Sequence, residues 1–364
     1  MRVVCKTLAL SLLVVVSSKW SVAQVQTSAL LNELKQVATG DDSTEKAARL
    51  VQSLKDSKDL SLTAVLESMR GATPLGRNWL SGVANNLYRK QQSQSGDALM
   101  KFLQDTNQDG EARYKAFIWL TEKSPEQRNQ LLAKMLEDPS PEIRYAAIEN
   151  AIGSAKETES LQRLLDVARH PDQVVGLIKK LEEAGSKVDQ AKHFGFVGKW
   201  NLIGPFDHVG TKNFNKAYPV ETDWIQGKIA DSYEGKKQTV KWQEYTSKEK
   251  DGNIDLAVIF ANEKGCIVYG TTEFNSPIEG PAEIRLGCIN GHKIWLNGKL
   301  VMSNEVYHSS TQIDQYIEPI ELKKGPNRIL IKVCQNEQTE AWAQRYQFML
   351  RITDSTGKAI QQPN

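Results

Sequence analysis

The side chains able to do chemistry are scattered through this chain. Its five histidines, at 170, 193, 208, 292 and 308, include no pair spaced four apart, so no preformed zinc site is written in them. Neither a G-x-S-x-G elbow nor an H-E-x-x-H helix occurs. The stretch Gly71 to Asn78 has the glycine spacing of a phosphate-binding loop. It places Arg77-Asn78 where a lysine and a hydroxyl residue must reach phosphate and magnesium, and it follows a helical pattern, so that reading is rejected. Two acidic loops bear on calcium. Asp105-Thr106-Asn107-Gln108-Asp109-Gly110 supplies oxygen ligands at alternate positions and the turn glycine, but the closing carboxylate position falls on Ala116. Asp251-Gly252-Asn253-Ile254-Asp255 has its glycine misplaced. Both read better as capped turns, and no cofactor is expected, with calcium the one ion the loops leave open.

Aromatic and amide side chains give the fuller signal. Trp200 and Trp295 sit in strand patterns and are expected in the core. Trp224, Trp242, Tyr307 and Trp342 lie in polar, loop-like surroundings. Sugar rings stack their apolar faces on exposed aromatics while amides, carboxylates and imidazoles bond the hydroxyls. With His308, Asp314, Tyr316 and Gln335, these four aromatics form the candidate glycan-binding set. The alternative is that the rings plug the ends of a sandwich, since large aromatics are mostly buried in folded proteins.

Composition bounds what these residues can belong to. The chain has 364 residues, 25% charged and 40% hydrophobic, enough for about two domains with real cores. Residues 1–23 read as a secretory signal: Arg2 and Lys6 precede the apolar run Leu8–Val16, and Ser21-Val22-Ala23 offers a cleavage site. The run is too short to span a bilayer. A mature chain starting at Gln24, periplasmic or secreted and not membrane-spanning, is expected. Loss of Arg2, Lys6 and Lys19 turns the formal charge from +2 to −1. No basic block remains, which argues against nucleic acid as a partner. Cys266, Cys288 and Cys334 lie in the C-terminal half without a C-x-x-C pair. They read as buried small residues, with Cys288–Cys334 the best disulfide candidate.

Two different apolar periods divide the chain. From about 25 to 183 the spacing is three and four, broken at Gly40-Asp41, Gly71-Ala72-Thr73-Pro74, Asp109-Gly110, Ser124-Pro125, Ser140-Pro141 and His170-Pro171. Such short helices must stack to be stable. Glu111-Ala112-Arg113-Tyr114-Lys115-Ala116 recurs 31 residues later as Glu142-Ile143-Arg144-Tyr145-Ala146-Ala147. After Ala184-Gly185-Ser186 the period shortens to two. Strands are predicted at 200–203, 256–261, 266–274, 283–288, 293–296, 299–302, 316–322, 328–334 and 347–353, with Asn297-Gly298 the strongest hairpin turn.

The string Asp138-Pro139-Ser140-Pro141-Glu142-Ile143-Arg144-Tyr145-Ala146-Ala147 resembles the second helix of a HEAT repeat, whose stacked helix pairs commonly contact another protein. Trp295-Leu296-Asn297-Gly298-Lys299 and Leu322-Lys323-Lys324-Gly325-Pro326-Asn327 to Val333 resemble galactose-binding-like β-sandwiches, such as the sugar-binding domain of family-two glycoside hydrolases. Gly204-Pro205-Phe206-Asp207, Tyr307-His308 and Cys334–Gln338 are similar to landmarks of secreted bacterial proteins that join the two. The resemblance implies an α+β multidomain chain: a signal peptide (1–23), a HEAT-like α-solenoid (24–183), a linker (184–194), an antiparallel jelly-roll β-sandwich (195–356) and a tail (357–364). It implies an exported, non-catalytic binding or scaffold protein, with an envelope or extracellular protein on the repeats and a polysaccharide or protein on the sandwich. A polysaccharide hydrolase, or its accessory subunit, is the alternative, because paired carboxylates can come from distant loops.

Overall fold

The computed structural model describes residues 22–57, 59–91 and 96–363. The expected signal segment lies outside them except for Val22 and Ala23, which begin the first helix. Among the described residues ten helices run to residue 183: α1 (Val22–Lys35), α2 (Ser43–Lys55), α3 (Leu62–Ser68), α4 (Pro74–Gln91), α5 (Gly96–Gln104), α6 (Gly110–Thr121), α7 (Pro125–Leu132), α8 (Pro141–Ile152), α9 (Thr158–Val167) and α10 (Pro171–Glu183). Their starts follow the caps in the sequence. Ser61, Asp109 and Ser140 each accept the backbone N–H three residues on, satisfying a donor that the first turn leaves unpaired.

The 31-residue repeat is a repeat of burial. Ala112, Arg113 and Ala116 of α6 and Ile143, Arg144 and Ala147 of α8 are all buried at matching positions. Each arginine donates from Nε to a backbone carbonyl that precedes its helix: Arg113 to Leu103 in the last turn of α5 at 2.9 Å, Arg144 to Asp138 in the turn before α8 at 2.8 Å. The small residues beside them let neighbouring helices approach closely.

The chain divides into two compact units, Met1–Gln130 and Leu131–Asn364. The second contains α8 to α10 and everything after them. In it a short helix, α11 (Gln190–Phe194), leads into β1 (Lys199–Asp207), α12 (Pro219–Gln226), β2 (Ser232–Glu234), β3 (Thr239–Lys241), β4 (Gln243–Thr246), β5 (Ile254–Asp255) and a single turn, α13 (Leu256–Ile259). Then come β6 (Cys266–Ser276), β7 (Gly280–Cys288), β8 (Gly291–Leu296), β9 (Lys299–Asn304), β10 (Tyr316–Leu322), β11 (Gly325–Gln335) and β12 (Gln347–Thr353). A six-stranded sheet, β4-β1-β6-β11-β8-β9, packs on a four-stranded sheet, β10-β7-β12-β5, and every pairing is antiparallel. This is the expected β-sandwich.

Strand β11 shows how alternation builds the layers. Ile329, Ile331 and Val333 face the core between the sheets, with Trp200, Phe348 and Leu350. Leu330 and Cys334 face the opposite way, into a second core under α12 and the β2–β3 hairpin that includes Trp224, Phe206 and Tyr269. On that outer side the buried Lys332 ammonium donates to the carbonyls of Phe214 and Lys216 at 2.8 and 2.7 Å and stands 3.6 Å from Glu221.

The two turns that carry the sandwich resemblance meet. Asn297 and Gly298 both adopt positive φ, +52° and +87°, which few other residues tolerate. Asn297 Oδ1 accepts the Arg328 N–H at 3.0 Å, and its Nδ2 donates to Asn327 Oδ1 at 2.9 Å. Asn327, fully buried, also closes its own turn through Lys323 and Gly325.

Two expectations are corrected. Residues 256–261 are not a strand: the Asp255 carboxylate accepts the N–H groups of Ala257 and Val258 and curls the apolar run into α13. Cys288 and Cys334 are not bridged; all three described cysteines are buried free thiols. No helix among the described residues is long and apolar enough to cross a membrane.

Candidate ligand-binding site

Four connections converge at one end of the sandwich. The first follows β1 (208–213), the second precedes β6 (262–265), the third links β9 to β10 (305–315), and the fourth links β11 to β12 (336–346). Trp342 stands on the last, 58% exposed and the one exposed tryptophan among the described residues. Its neighbour Ala343 is fully buried. The difference comes from how the turn is pinned. Gln335, the last residue of β11, is buried, and its Nε2 donates to the carbonyls of Ala343 and Arg345, both at 3.3 Å. Its Oε1 accepts from Asn290 at 2.7 Å, and Lys264 Nζ adds a second bond to the Ala343 carbonyl at 2.8 Å. The Ala343 N–H closes the turn on Glu340 at 2.8 Å. Polar groups thus hold the backbone in while the indole points out.

His308 flanks the indole edge-on and donates from Nε2 to Asn336 Oδ1 at 2.9 Å. Asn336 also bonds Gln338 through both ends of its amide. Its carbonyl accepts the Gly265 N–H, and Glu337 accepts the Gly210 N–H, both at 2.9 Å. A depression of about 450 Å³ opens there, lined by Gly210, Thr211, Asn336, Glu337, Gln338 and Thr339.

Beneath lies a second imidazole pair-point. His208, fully buried, is hydrogen-bonded through Nε2 to the Tyr307 hydroxyl at 2.7 Å, and Tyr307 lies against Gly291, where a Cβ would meet its ring. Burial, then the Lys332 charge, push the His208 pKa down to about 4, so it is neutral at pH 7. Burial pushes the Tyr307 hydroxyl well above its ordinary value. His208 Nδ1 and His308 Nδ1 are buried without a hydrogen-bond partner. The arrangement can stack a ring on Trp342 and offer amide, carboxylate and hydroxyl groups beside it.

The structure thus brings Tyr307, His308, Gln335 and Trp342 together, with Gln335 as the anchor beneath the surface. The other four expected residues are elsewhere. Trp224 is buried in the outer core, donating to Thr271 Oγ1 at 2.7 Å with the Arg328 guanidinium over its ring. Trp242 packs half-buried on that same core and donates to the Ala230 carbonyl at 3.0 Å. Tyr316 meets His292 edge-on, ring centroids 4.6 Å apart. Asp314 is spent on Arg351 and Arg285, the latter at 2.7 Å. Asn336 and Gln338 belong to the polar run Gln335–Gln338, which the sequence offers as a source of hydroxyl-bonding amides; His208 is not among the expected site residues, its one sequence signal being its place after Gly204-Pro205-Phe206-Asp207.

The acidic loops use their carboxylates locally. Asp105 accepts from Asn107 and Gln108, Asp109 caps α6 and pairs with Arg77 at 3.3 Å, and Asp251 accepts from Asn253. No cluster of three or more metal-ligating side chains occurs among the described residues.

Comparison with known proteins finds a family model for HEAT repeats matching residues 96–177. No curated protein matches the chain. Similar solved structures include a β-glucuronidase from Ruminococcus gnavus, 12% identical over 43% of this chain and 28% of that one, TM-score 0.26. A β-glucuronidase from an uncultured Clostridium sp. is 15% identical over the same shares, TM-score 0.25. The PA14 domain of the antifreeze protein MpAFP is 10% identical over 46% of this chain and 87% of that one, TM-score 0.26. The chain spans under a third of the glucuronidase chains it matches. The helices over residues 96–177 thus match HEAT repeats, and they precede an antiparallel β-sandwich.

Proposed function

We propose that this is an exported, non-catalytic binding and scaffold protein whose sandwich holds a glycan at the Trp342 end and whose HEAT repeats hold a protein of the envelope or extracellular space. The observation that carries the glycan reading is the exposed Trp342 indole on a turn pinned by Gln335 and Lys264, beside the His308–Asn336–Gln338 group. An exposed aromatic costs solvation unless something covers it, and a sugar face covers it while its hydroxyls bond the neighbouring amides. Stacked helical repeats present a continuous surface to a partner, which supports the scaffold reading.

Binding of the full-length protein to a broad glycan array tests the glycan reading. Retention of particular glycans, lost in Trp342→Ala and weakened in Asn336→Ala with both variants folded, is the expected result. Silence across the array, or binding untouched by both substitutions, overturns it.

A further inference from the structure

A second pocket in the Leu131–Asn364 unit lies away from the Trp342 end. It has a volume of about 460 Å³ and is bounded by the α9–α10 turn, α11 and the C-terminal segment after β12. That segment is held in place: Ala359 bridges to Thr353, the Ile360 N–H donates to Ile352 at 3.0 Å, and Gln361 Nε2 donates to the Lys192 carbonyl at 2.9 Å. Four cations line the pocket, Arg169, Lys192, Arg351 and Lys358, against one carboxylate, Asp166.

The cations differ in how their charge is answered. Arg351 is fully engaged, its Nε donating to Asp314 at 2.6 Å. Arg169, Lys192 and Lys358 form no ion pair among the described residues. Arg169 is the informative one. Its Nη1 donates only to backbone carbonyls, Asp166 at 2.8 Å and Ala168 at 2.7 Å, and its buried Nε has no partner. Burial weakens its hold on charge, the Arg144 and Arg351 guanidiniums oppose it, and the Asp354 and Glu137 carboxylates offset part of this without pairing with it. The same positive field acts on His193, where burial and then Arg169 lower the pKa. A partly buried guanidinium fixed by two carbonyls, with an unpartnered Nε and no ion-paired carboxylate, is an incompletely balanced charge. An anion entering the pocket balances it, and Arg169 with the two flexible lysines can bond oxyanion oxygens with charge-assisted hydrogen bonds. Val174, Phe194 and Ala359 supply an apolar wall for the rest of a small molecule.

We propose that this pocket binds a small organic anion, its carboxylate or phosphate group held by Arg169, Lys192 and Lys358. The site is separate from the Trp342 platform and does not depend on the glycan reading.

Calorimetric titration of the full-length protein with inorganic phosphate and with succinate, each against sodium chloride of equal ionic strength, tests it. Saturable binding of at least one probe is expected, about tenfold weaker in Arg169→Gln and in the double variant Lys192→Gln/Lys358→Gln. The probe that binds identifies the head group as phosphate or carboxylate. Both lysines are exposed, so the double variant keeps the fold even if Arg169→Gln does not. Binding of neither probe beyond chloride, or binding unchanged in the folded double variant, overturns the proposal. Glycan retention at Trp342 is unaffected in either case.

Discussion

The imidazole of His308 meets the Trp342 indole edge-on, ring centroids 4.9 Å apart and planes at 85°. His308 comes from the β9–β10 connection and Trp342 from the β11–β12 connection, so this contact joins two loops 34 positions apart in sequence. With Trp342 58% exposed, most of the indole stays open to solvent.

Trp342→Ala is therefore expected to remove binding without loosening the fold. A side chain this exposed contributes within about 0.5 kcal/mol of stability, so the urea midpoint should barely move. Trp224→Ala is the contrasting variant. Deleting a fully buried indole costs about 3–5 kcal/mol. A midpoint that drops for Trp342 and holds for Trp224 would reverse the two assignments.

Asp314 joins two guanidiniums, Arg351 and Arg285, in a setting where its own side chain is 6% exposed. Burial alone would raise its pKa, but the bonds and charge of Arg351 and Arg285 outweigh it and hold the carboxyl below its ordinary value. Asp314→Ala leaves the buried Arg351 without a carboxylate, while Arg285 keeps Glu283, and should cost about 3–5 kcal/mol. Equilibrium unfolding in urea measures it; a loss below about 1 kcal/mol would show the network to be dispensable.

Acid should weaken the fold through two buried histidines. His292 donates from Nδ1 to the Asn290 carbonyl and accepts from Asn304 Nδ2 at Nε2, a pattern that only the neutral ring satisfies. Burial brings both His208 and His292 from 6.5 down to about 4 in the folded state. Between those values the unfolded chain binds the extra protons, so stability is full above 6.5 and falls as the pH drops toward 4. The urea midpoint followed from about pH 7 to about pH 4.5 checks this, and a midpoint that stays level or rises contradicts it.

The three described thiols should be silent in the native protein. Burial pushes Cys266 and Cys288 up to about 12 and raises Cys334 as well, leaving almost no thiolate at neutral pH. An aromatic disulfide reagent should label none of them until denaturant is added, and then all three. Failure of two to react even when unfolded without reductant would reveal a bridge.

Much of the architecture was legible because it is periodic. The change from spacing three and four to spacing two marks the passage from helices to sheets, and Asn297-Gly298 forms the turn its two residues demand. Segments β2, β3 and β4 were not legible. They are three or four residues long and mostly exposed, too short for a period to register. The same segments explain the misplacing of Trp224. A two-layer sandwich has an outer face open to water, and polar flanks around Trp224 suit that face. Here α12 and the β2–β3 hairpin cover it, and the tryptophan becomes core. At the Trp342 end the run Gln335–Gln338 is legible as polar, but not that Gln335 lies beneath the surface and Asn336 on it. Consecutive residues at a strand end point to opposite sides, and which side faces inward depends on a register that one chain does not display.

The pinned turn beneath Trp342 has a consequence for the energetics of recognition. A platform that is already immobile forfeits little conformational freedom when covered, so a modest sugar contact need not first order a loop. Its anchors, Gln335 and Lys264, also bond main-chain carbonyls and not the indole. The ring at position 342 can therefore be exchanged for another without disturbing what holds it, so on the proposed glycan reading preference can drift at this end of the sandwich while the fold stays constant.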